Sequence, residues 1–245
     1  WILAICLALF MSLSVFIVFV GGILGNELAS SKSLSTLPVA AIVVGTAVSI
    51  FPVIRLMSIF GRKTVFLMIC IYSIALLGLS VFAIITGSFL LFCLSSFLLG
   101  ATVATMNQFR FAAIESVSEE QRATATAIVL LGGLVSAYLG PEVATIGKEI
   151  FAINFVGSYM LLGLLFLIAF ILLCFFQPAK KFVEESDQSK RSLIEIMKQS
   201  SFIVAASAAT TGYVVMSFVM TATPISMHVM DGFSLHHTKF VIQSH

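Results

Sequence analysis

Charged residues are scarce in this sequence. Only 10% of its 245 residues are Asp, Glu, Lys or Arg, while 60% are hydrophobic and the mean hydropathy is +1.13. Soluble domains carry about 25% charged residues. A soluble globule of this composition would have to expose large apolar patches. The composition therefore excludes a soluble domain and predicts an integral membrane protein. The net charge of +2 is too small to indicate a nucleic-acid partner.

Signatures of catalysis and of metal binding are also missing. The sequence has no H-E-x-x-H, no phosphate-binding loop and no G-x-S-x-G. Its cysteines lie in apolar runs without metal-ligand spacing, and the His and Asp residues near its end match no zinc site. We therefore predict no metal, no cofactor, no catalytic residue and no enzymatic activity. We expect the His and Asp residues in an external loop with a turn at Asp231-Gly232. The residues in question are Cys6, Cys70, Cys93, Cys174, His228, Asp231, His236 and His237.

Long apolar runs are what the sequence does contain. A bilayer core of about 30 Å needs about 20 apolar residues in a helix. Seven segments are long enough, an eighth begins near Thr238, and strands of a membrane barrel would be shorter and would alternate. The first run lacks an A-x-A cleavage site, so we interpret it as a membrane span of a truncated chain rather than a signal peptide. The predicted spans are Ile2–Leu24, Leu37–Met57, Thr64–Ile85, Phe89–Met106, Ala123–Gly147, Asn154–Phe176 and Phe202–Thr223.

A polar, charged stretch separates the sixth span from the seventh. Six spans, a long charged linker and then further spans are typical of transporters built from two helical halves. We predict three parts: 1–176 as the N-terminal six-helix transmembrane half, 177–199 as a cytoplasmic linker, and 200–245 as the start of the C-terminal half. The last part would hold helix 7 and the start of helix 8. The predicted fold class is an all-α integral membrane protein.

Basic residues predict the orientation of the spans. Lys and Arg collect in cytoplasmic loops. Of the 13 Lys and Arg residues, ten lie in the loops after spans 2, 4 and 6, and only Lys32, Lys148 and Lys239 lie in the opposite loops. We therefore expect the loop after span 2 and the long linker to be cytoplasmic. The ten residues are Arg55, Arg62, Lys63, Arg110, Arg122, Lys180, Lys181, Lys190, Arg191 and Lys198.

The loop between spans 2 and 3, "IRLMSIFGRKTVF", ends in Gly61-Arg62-Lys63. Its place between the second and third helices of a six-helix half resembles the loop signature of the major facilitator superfamily, G-x-x-x-D-R-x-G-R-R/K. Ser58 stands where the family has the aspartate that latches the outward-facing state. The resemblance therefore leaves that latch in question, unless Arg55 or Arg62 pairs with a carboxylate from another loop.

Two more stretches are similar to that family. The loop "FAAIESVSEEQRATATAI" resembles the acidic-then-arginine loop before helix 5, with Glu115 and Arg122 as the matching charges. Gly140-Pro141 resembles the end of the glycine-rich signature of helix 5 in exporters, although the full spacing is not kept. Ser96 replaces the arginine that many members place in helix 4, which argues against the usual proton-antiport arrangement. The resemblance implies a bacterial inner-membrane transporter.

Few polar residues within the spans could act on a solute, and each has two interpretations. Glu142 follows Gly140-Pro141; we expect a bend near the outer boundary, a helix that continues about two turns, and a role for Glu142 in gating or proton access. Asn107 and Arg110 either end a cytoplasmic helix or line the inner cavity. The hydroxyl residues of span 7 serve helix packing or line the solute pathway. They are Ser207, Thr210, Thr211, Tyr213, Ser217, Thr221 and Thr223.

The resulting functional prediction is a secondary active transporter for a small organic solute, working by alternating access with protons as a hypothetical coupling ion. Its partners would be the solute and the lipid bilayer. The alternative is a non-transporting receptor or regulatory protein on a transporter scaffold. Import and export both remain open at this stage.

Overall fold

Apolar helices account for nearly the whole computed structural model, which describes residues 1–177 and 193–244. The predicted linker residues Lys180, Lys181, Lys190 and Arg191 lie outside the described residues. Within the described residues, seven helices are long and apolar enough to cross a membrane, which confirms the predicted number of spans. The helices are α1 (Ile2–Leu28), α2 (Leu37–Phe60), α3 (Arg62–Ile85), α4 (Phe89–Met106), α5 (Phe109–Glu115), α6 (Arg122–Gly147), α7 (Val156–Phe175), α8 (Leu193–Met197), α9 (Ser200–Pro224) and α10 (Leu235–Gln243).

Most boundaries follow the hydropathy, and the differences have local causes. The fourth span ends at Met106 as predicted, after which the short helix α5 continues it toward Glu115. The predicted eighth span corresponds to α10, which begins at Leu235 rather than Thr238. The Ser234 hydroxyl caps this helix by accepting a hydrogen bond from the His237 N–H at 3.3 Å. Helix α6 runs through Pro141 to Gly147, as expected. The bend expected at Pro141 stays a prediction.

Small residues let pairs of helices cross closely. Helices α1 and α6 pack side by side, and a Cβ added at Gly132 would lie 2.5 Å from the Ala4 carbonyl oxygen. Helices α2 and α4 form a second pair, in which the backbone of Gly100 meets that of Gly45. Small residues at such crossings are typical of membrane helices, which gain little from burying apolar surface against each other. The packing of the first half therefore depends on these glycines.

Buried hydroxyls and aromatic rings complete the first half. The Ser80 and Ser95 hydroxyls are 2.9 Å apart, and Ser73 and Thr102 are 2.7 Å apart, which joins α3 to α4. Phe10, Phe66, Phe109, Phe166 and Tyr159 are all fully buried between α1, α3, α5 and α7. Each hydroxyl of these two pairs has a partner, as is usual for buried polar groups, whereas the buried Tyr159 hydroxyl has none among the described residues.

Candidate functional site

The two predicted halves meet at one end of the bundle. Near the end of α1, Gly22 lies against Ile225, which directly follows α9; a Cβ added at Gly22 would lie 3.0 Å from the Ile225 side chain. This end is opposite the basic loops, and we call it the outer end because the positive-inside pattern predicts that orientation. Toward the inner end, every residue of α9 from Ser200 to Met216 is exposed. The described parts of the halves therefore touch outside and leave a gap between α1 and α9 that opens inward.

Glu142 joins the two halves at this outer end. Its Oε1 accepts hydrogen bonds from Lys239 Nζ at 2.8 Å and from Gln243 Nε2 at 3.3 Å, both on α10. The Glu142 side chain is 39% exposed and that of Lys239 is 11% exposed. Gln243 Nε2 also donates to the Tyr138 carbonyl at 3.3 Å. Because Lys239 is mostly buried and its charge faces one carboxylate, this ion pair differs from a freely solvated surface pair.

Gly140 and Pro141 are buried beside this contact. A Cβ at Gly140 would lie 3.0 Å from the Ser12 carbonyl oxygen and from Val15 Cβ, so α6 lies directly against α1 here. Pro141 has no N–H to donate, and the helix nevertheless continues to Gly147. The Gly140-Pro141 step therefore holds α6 on α1 while the next residue, Glu142, reaches the other half.

Asn107 and Arg110 lie far from Glu142, where α4 gives way to α5 at the inner end. Both residues are exposed. Asn107 Nδ2 donates to the Val103 carbonyl at 3.3 Å, and the Arg110 guanidinium lies 5.0 Å from the centroid of the Phe111 ring. Both residues therefore lie at the exposed inner end of the first half, apart from the outer ion pair.

The cations of the Gly61-Arg62-Lys63 loop contact other helices of the same half. Gly61 has a φ of 80°, a left-handed conformation that lets α2 end and α3 begin within one residue. Arg62 donates twice to Glu115, from Nε at 2.8 Å and from Nη2 at 2.6 Å, which ties α3 to α5. Lys63 Nζ donates to the Cys174 carbonyl at 2.8 Å, near the end of α7. The expectation that Arg55 or Arg62 pairs with a carboxylate from another loop is confirmed for Arg62.

Within the part of the chain that the structure describes, the polar contacts of Ser58 and Arg122 are local. The Ser58 hydroxyl, at the place of the family's aspartate, donates to the Arg55 carbonyl of its own helix at 2.7 Å. Arg122 pairs with Glu119 three residues earlier, at 3.0 Å, and not with Glu115. The two charges that match the family's acidic-then-arginine loop are therefore not paired with each other.

The histidines near the end lie in helical segments, so the predicted external loop is wrong for most of this stretch. Ile225–Met230 continues α9 as a π-helix that includes His228, whose Nδ1 lies 2.8 Å from the Phe233 carbonyl oxygen. His236 and His237 lie in the first turn of α10. The turn at Gly232, with a φ of 70°, is confirmed. Among the residues that the structure describes, no group of three His, Cys, Asp or Glu side chains is placed to hold a metal.

The sequence-based reasoning missed Lys239 and Gln243 as partners of Glu142. Lys239 lies 97 positions from Glu142, and it had been counted only as one of the three cations outside the basic loops. A signal was nevertheless present, since Glu142 and Lys239 are opposite charges at the outer ends of neighbouring apolar segments. An isolated charge in such a segment is costly, so a partner could have been sought for each.

Comparison with known proteins agrees with this architecture. The family model described as Major Facilitator Superfamily matches residues 1–242. The riboflavin transporter RfnT of Brucella anthropi is 34% identical over 250 residues, covering 100% of this chain and 62% of the relative. The uncharacterised MFS-type transporter YddS of Bacillus subtilis is 28% identical over 246 residues, covering 92% of this chain and 55% of the relative. The chain thus spans between about half and two thirds of the length of these relatives, and it belongs to the Major Facilitator Superfamily.

Proposed function

We propose that the full-length protein is a secondary active transporter that moves a small organic solute by alternating access. The single observation that carries the proposal is the contact between the described parts of the two halves, which touch at the outer end through Gly22 and Ile225 and are separate at the inner end. Alternating access requires two such gates that do not open together. The family match and the relatives named as transporters support the same interpretation. Opening the outer end would separate Gly22 from Ile225 and Glu142 from Lys239.

Glu142 acts as an outer gate residue in this proposal. Its bond to Lys239 exists only while α6 and α10 are in contact, so it stabilises the outer-closed state relative to the outer-open state. Gly140 and Pro141 serve as the support that fixes α6 on α1 and directs Glu142 toward α10. Protonation of Glu142 would remove one charge of the pair and favour opening, which is how a proton gradient would couple to transport.

The inner end has a different arrangement of charges. Asn107 and Arg110 are exposed at the inner end of the first half. They are proposed to lie at the inner mouth and to meet solute that enters or leaves there. Arg62, Lys63, Glu115 and Gly61 are proposed to keep the inner ends of the first half together while the halves rock. Because Arg62 and Glu115 belong to the same half, their pair can persist in both states.

Riboflavin is the proposed candidate solute, because the relative with 34% identity is named a riboflavin transporter. The proposed location is the bacterial inner membrane. The competing hypothesis is a receptor or regulatory protein on a transporter scaffold, which would bind a solute without moving it.

The test is flux of labelled riboflavin into proteoliposomes that contain the full-length protein. Uptake should saturate, should exceed that of empty liposomes, and should change when a pH gradient is imposed and when an ionophore then abolishes it. Saturable uptake that ignores the pH gradient would remove proton coupling and leave transport. Binding of riboflavin without any flux would favour the receptor.

A further inference from the structure

One face of α9 changes from covered to exposed along its length. The residues of this face follow one another at alternating spacings of four and three positions, so they lie on one side of the helix. The outer members, Ser217, Met220 and Pro224, are partly or fully buried, and Met220 packs against the core of the first half. The inner members are exposed, and they are Ala206, Thr210 and Tyr213. This face therefore points toward α1 where the halves touch. The helical spacing keeps its inner members on the same side of α9, while every residue from Ser200 to Met216 is exposed.

Tyr213 lies about halfway through the membrane on this face. It precedes Ile225 by 12 residues, or about 18 Å of helix, and Ile225 contacts Gly22. Since α1 and α9 run in the same direction, the same distance along α1 leads to the buried Phe10 and its partly exposed neighbour Met11. The Tyr213 side chain is 56% exposed. A large aromatic ring thus stands at the midplane level, where transporters of this architecture hold their solute.

None of the described membrane-spanning helices places an Asp, Glu, Lys, Arg or His side chain at the level of this ring. Asp, Glu, Lys, Arg and His are absent from Ile2–Asn26, Phe89–Met106, Val156–Phe175 and Ser200–Pro224. An ionised solute placed between α1 and α9 would meet no opposite charge on the described helices, and unpaired charge inside a membrane is costly. A neutral solute carries no such cost.

We propose that Tyr213 is a specificity-determining residue that stacks on the flat ring of a neutral aromatic heterocycle such as the isoalloxazine of riboflavin. This inference rests on the transport function proposed above. Tyrosine offers an aromatic face whose stacking is tolerant of the detailed ring structure. One turn farther in, the Thr210 hydroxyl donates to the Ala206 carbonyl at 2.7 Å, so its oxygen keeps lone pairs for a ring N–H. Phosphorylation of the solute would add charge and prevent binding.

The test measures the Kd of full-length protein for riboflavin, for the neutral ring compound lumichrome and for the phosphorylated flavin FMN, by quenching of flavin fluorescence. Tyr213→Ala should weaken riboflavin and lumichrome binding about 10-fold or more, in line with the loss of one aromatic stack. Tyr213→Phe should stay within about twofold of wild type, because the ring remains. The matched control is Phe218→Ala, which truncates another exposed aromatic residue of α9 on a different side of the helix.

Riboflavin counterflow in proteoliposomes, run on the same variants, separates the two proposals. If the wild type transports riboflavin and Tyr213→Ala keeps the wild-type Kd and KM, the role of Tyr213 is refuted while the transport function stands. Equal affinity for FMN and riboflavin would refute the neutral solute class. Failure of the wild type to bind either riboflavin or lumichrome would likewise refute the inference, and flux of another solute would then still support a transporter.

Discussion

Removing the charge of Glu142 should open the outer end of the protein more often. The perturbations are Glu142→Gln and Lys239→Gln, each of which breaks the 2.8 Å ion pair between α6 and α10. Exposed ion pairs contribute about 0.2–1 kcal/mol and broken buried pairs cost about 3–5 kcal/mol. With Lys239 at 11% and Glu142 at 39% exposure, the pair lies between these cases. We expect a loss of about 1–2 kcal/mol for the outer-closed state, a factor of about 5 to 30 in the equilibrium.

The assay reads how often the outer end opens. Val18→Cys, introduced into full-length protein whose native cysteines are replaced, places a thiol on a partly exposed position of α1, one turn inward from Gly22. A membrane-impermeant maleimide added outside whole cells should reach this thiol only when the contact between Gly22 and Ile225 separates. Each single Gln variant should raise the labelling rate about 5- to 30-fold. Glu149→Gln removes an exposed carboxylate just beyond α6 and should leave the rate unchanged.

The double variant Glu142→Lys with Lys239→Glu exchanges the two charges and tests whether their interaction is responsible. It keeps one positive and one negative group at the same two positions, so it should return labelling toward the wild-type rate if the interaction between them is responsible. If both single variants were labelled at the wild-type rate, the role of the Glu142–Lys239 pair as an outer gate would be refuted. If the single variants and the charge-exchanged variant were all labelled faster than the wild type, packing at these positions would matter and their charges would not.

Three further outcomes follow from the same contacts. Gly100→Ala should lower the melting temperature of the detergent-solubilised protein by the equivalent of about 1–3 kcal/mol, because the added methyl overlaps the backbone of α2; Gly78→Ala, where a Cβ meets nothing within 4 Å, should be neutral or stabilising. Arg62→Ala should destabilise more than Arg122→Ala in the same melts, because Arg62 loses two charge-assisted hydrogen bonds to another helix while Arg122 loses a local exposed pair. In transport assays from about pH 4 to 8, a range that includes the ordinary pKa of a carboxyl group, Glu142→Gln should alter the pH dependence of uptake; an unchanged profile would remove Glu142 from proton access.

The sequence predicted the elements of this fold more completely than it predicted their contacts. Each span could be located because a bilayer imposes a length and an apolar composition on any helix that crosses it, so local hydropathy is sufficient. The same reasoning failed for His228, because a π-helix can extend a membrane helix through residues that are polar enough for a loop. It also could not pair Arg62 with Glu115, since side chains 53 positions apart meet only through the packing of α3 and α5.

For the candidate site, the sequence alone indicated that Glu142 is unusual, because a carboxylate after Gly140-Pro141 in an apolar run is costly and therefore rare. It could not supply Lys239 as the partner, nor show that the inner part of the Tyr213 face is exposed while the outer part is covered. Both facts depend on where α9 and α10 stand relative to the first half. Hydropathy, charge and glycine positions are properties of single segments, and the sequence determined them by itself. The arrangement of the two halves depends on contacts between distant segments, so only the tertiary structure decided which residues form a gate and which line the gap.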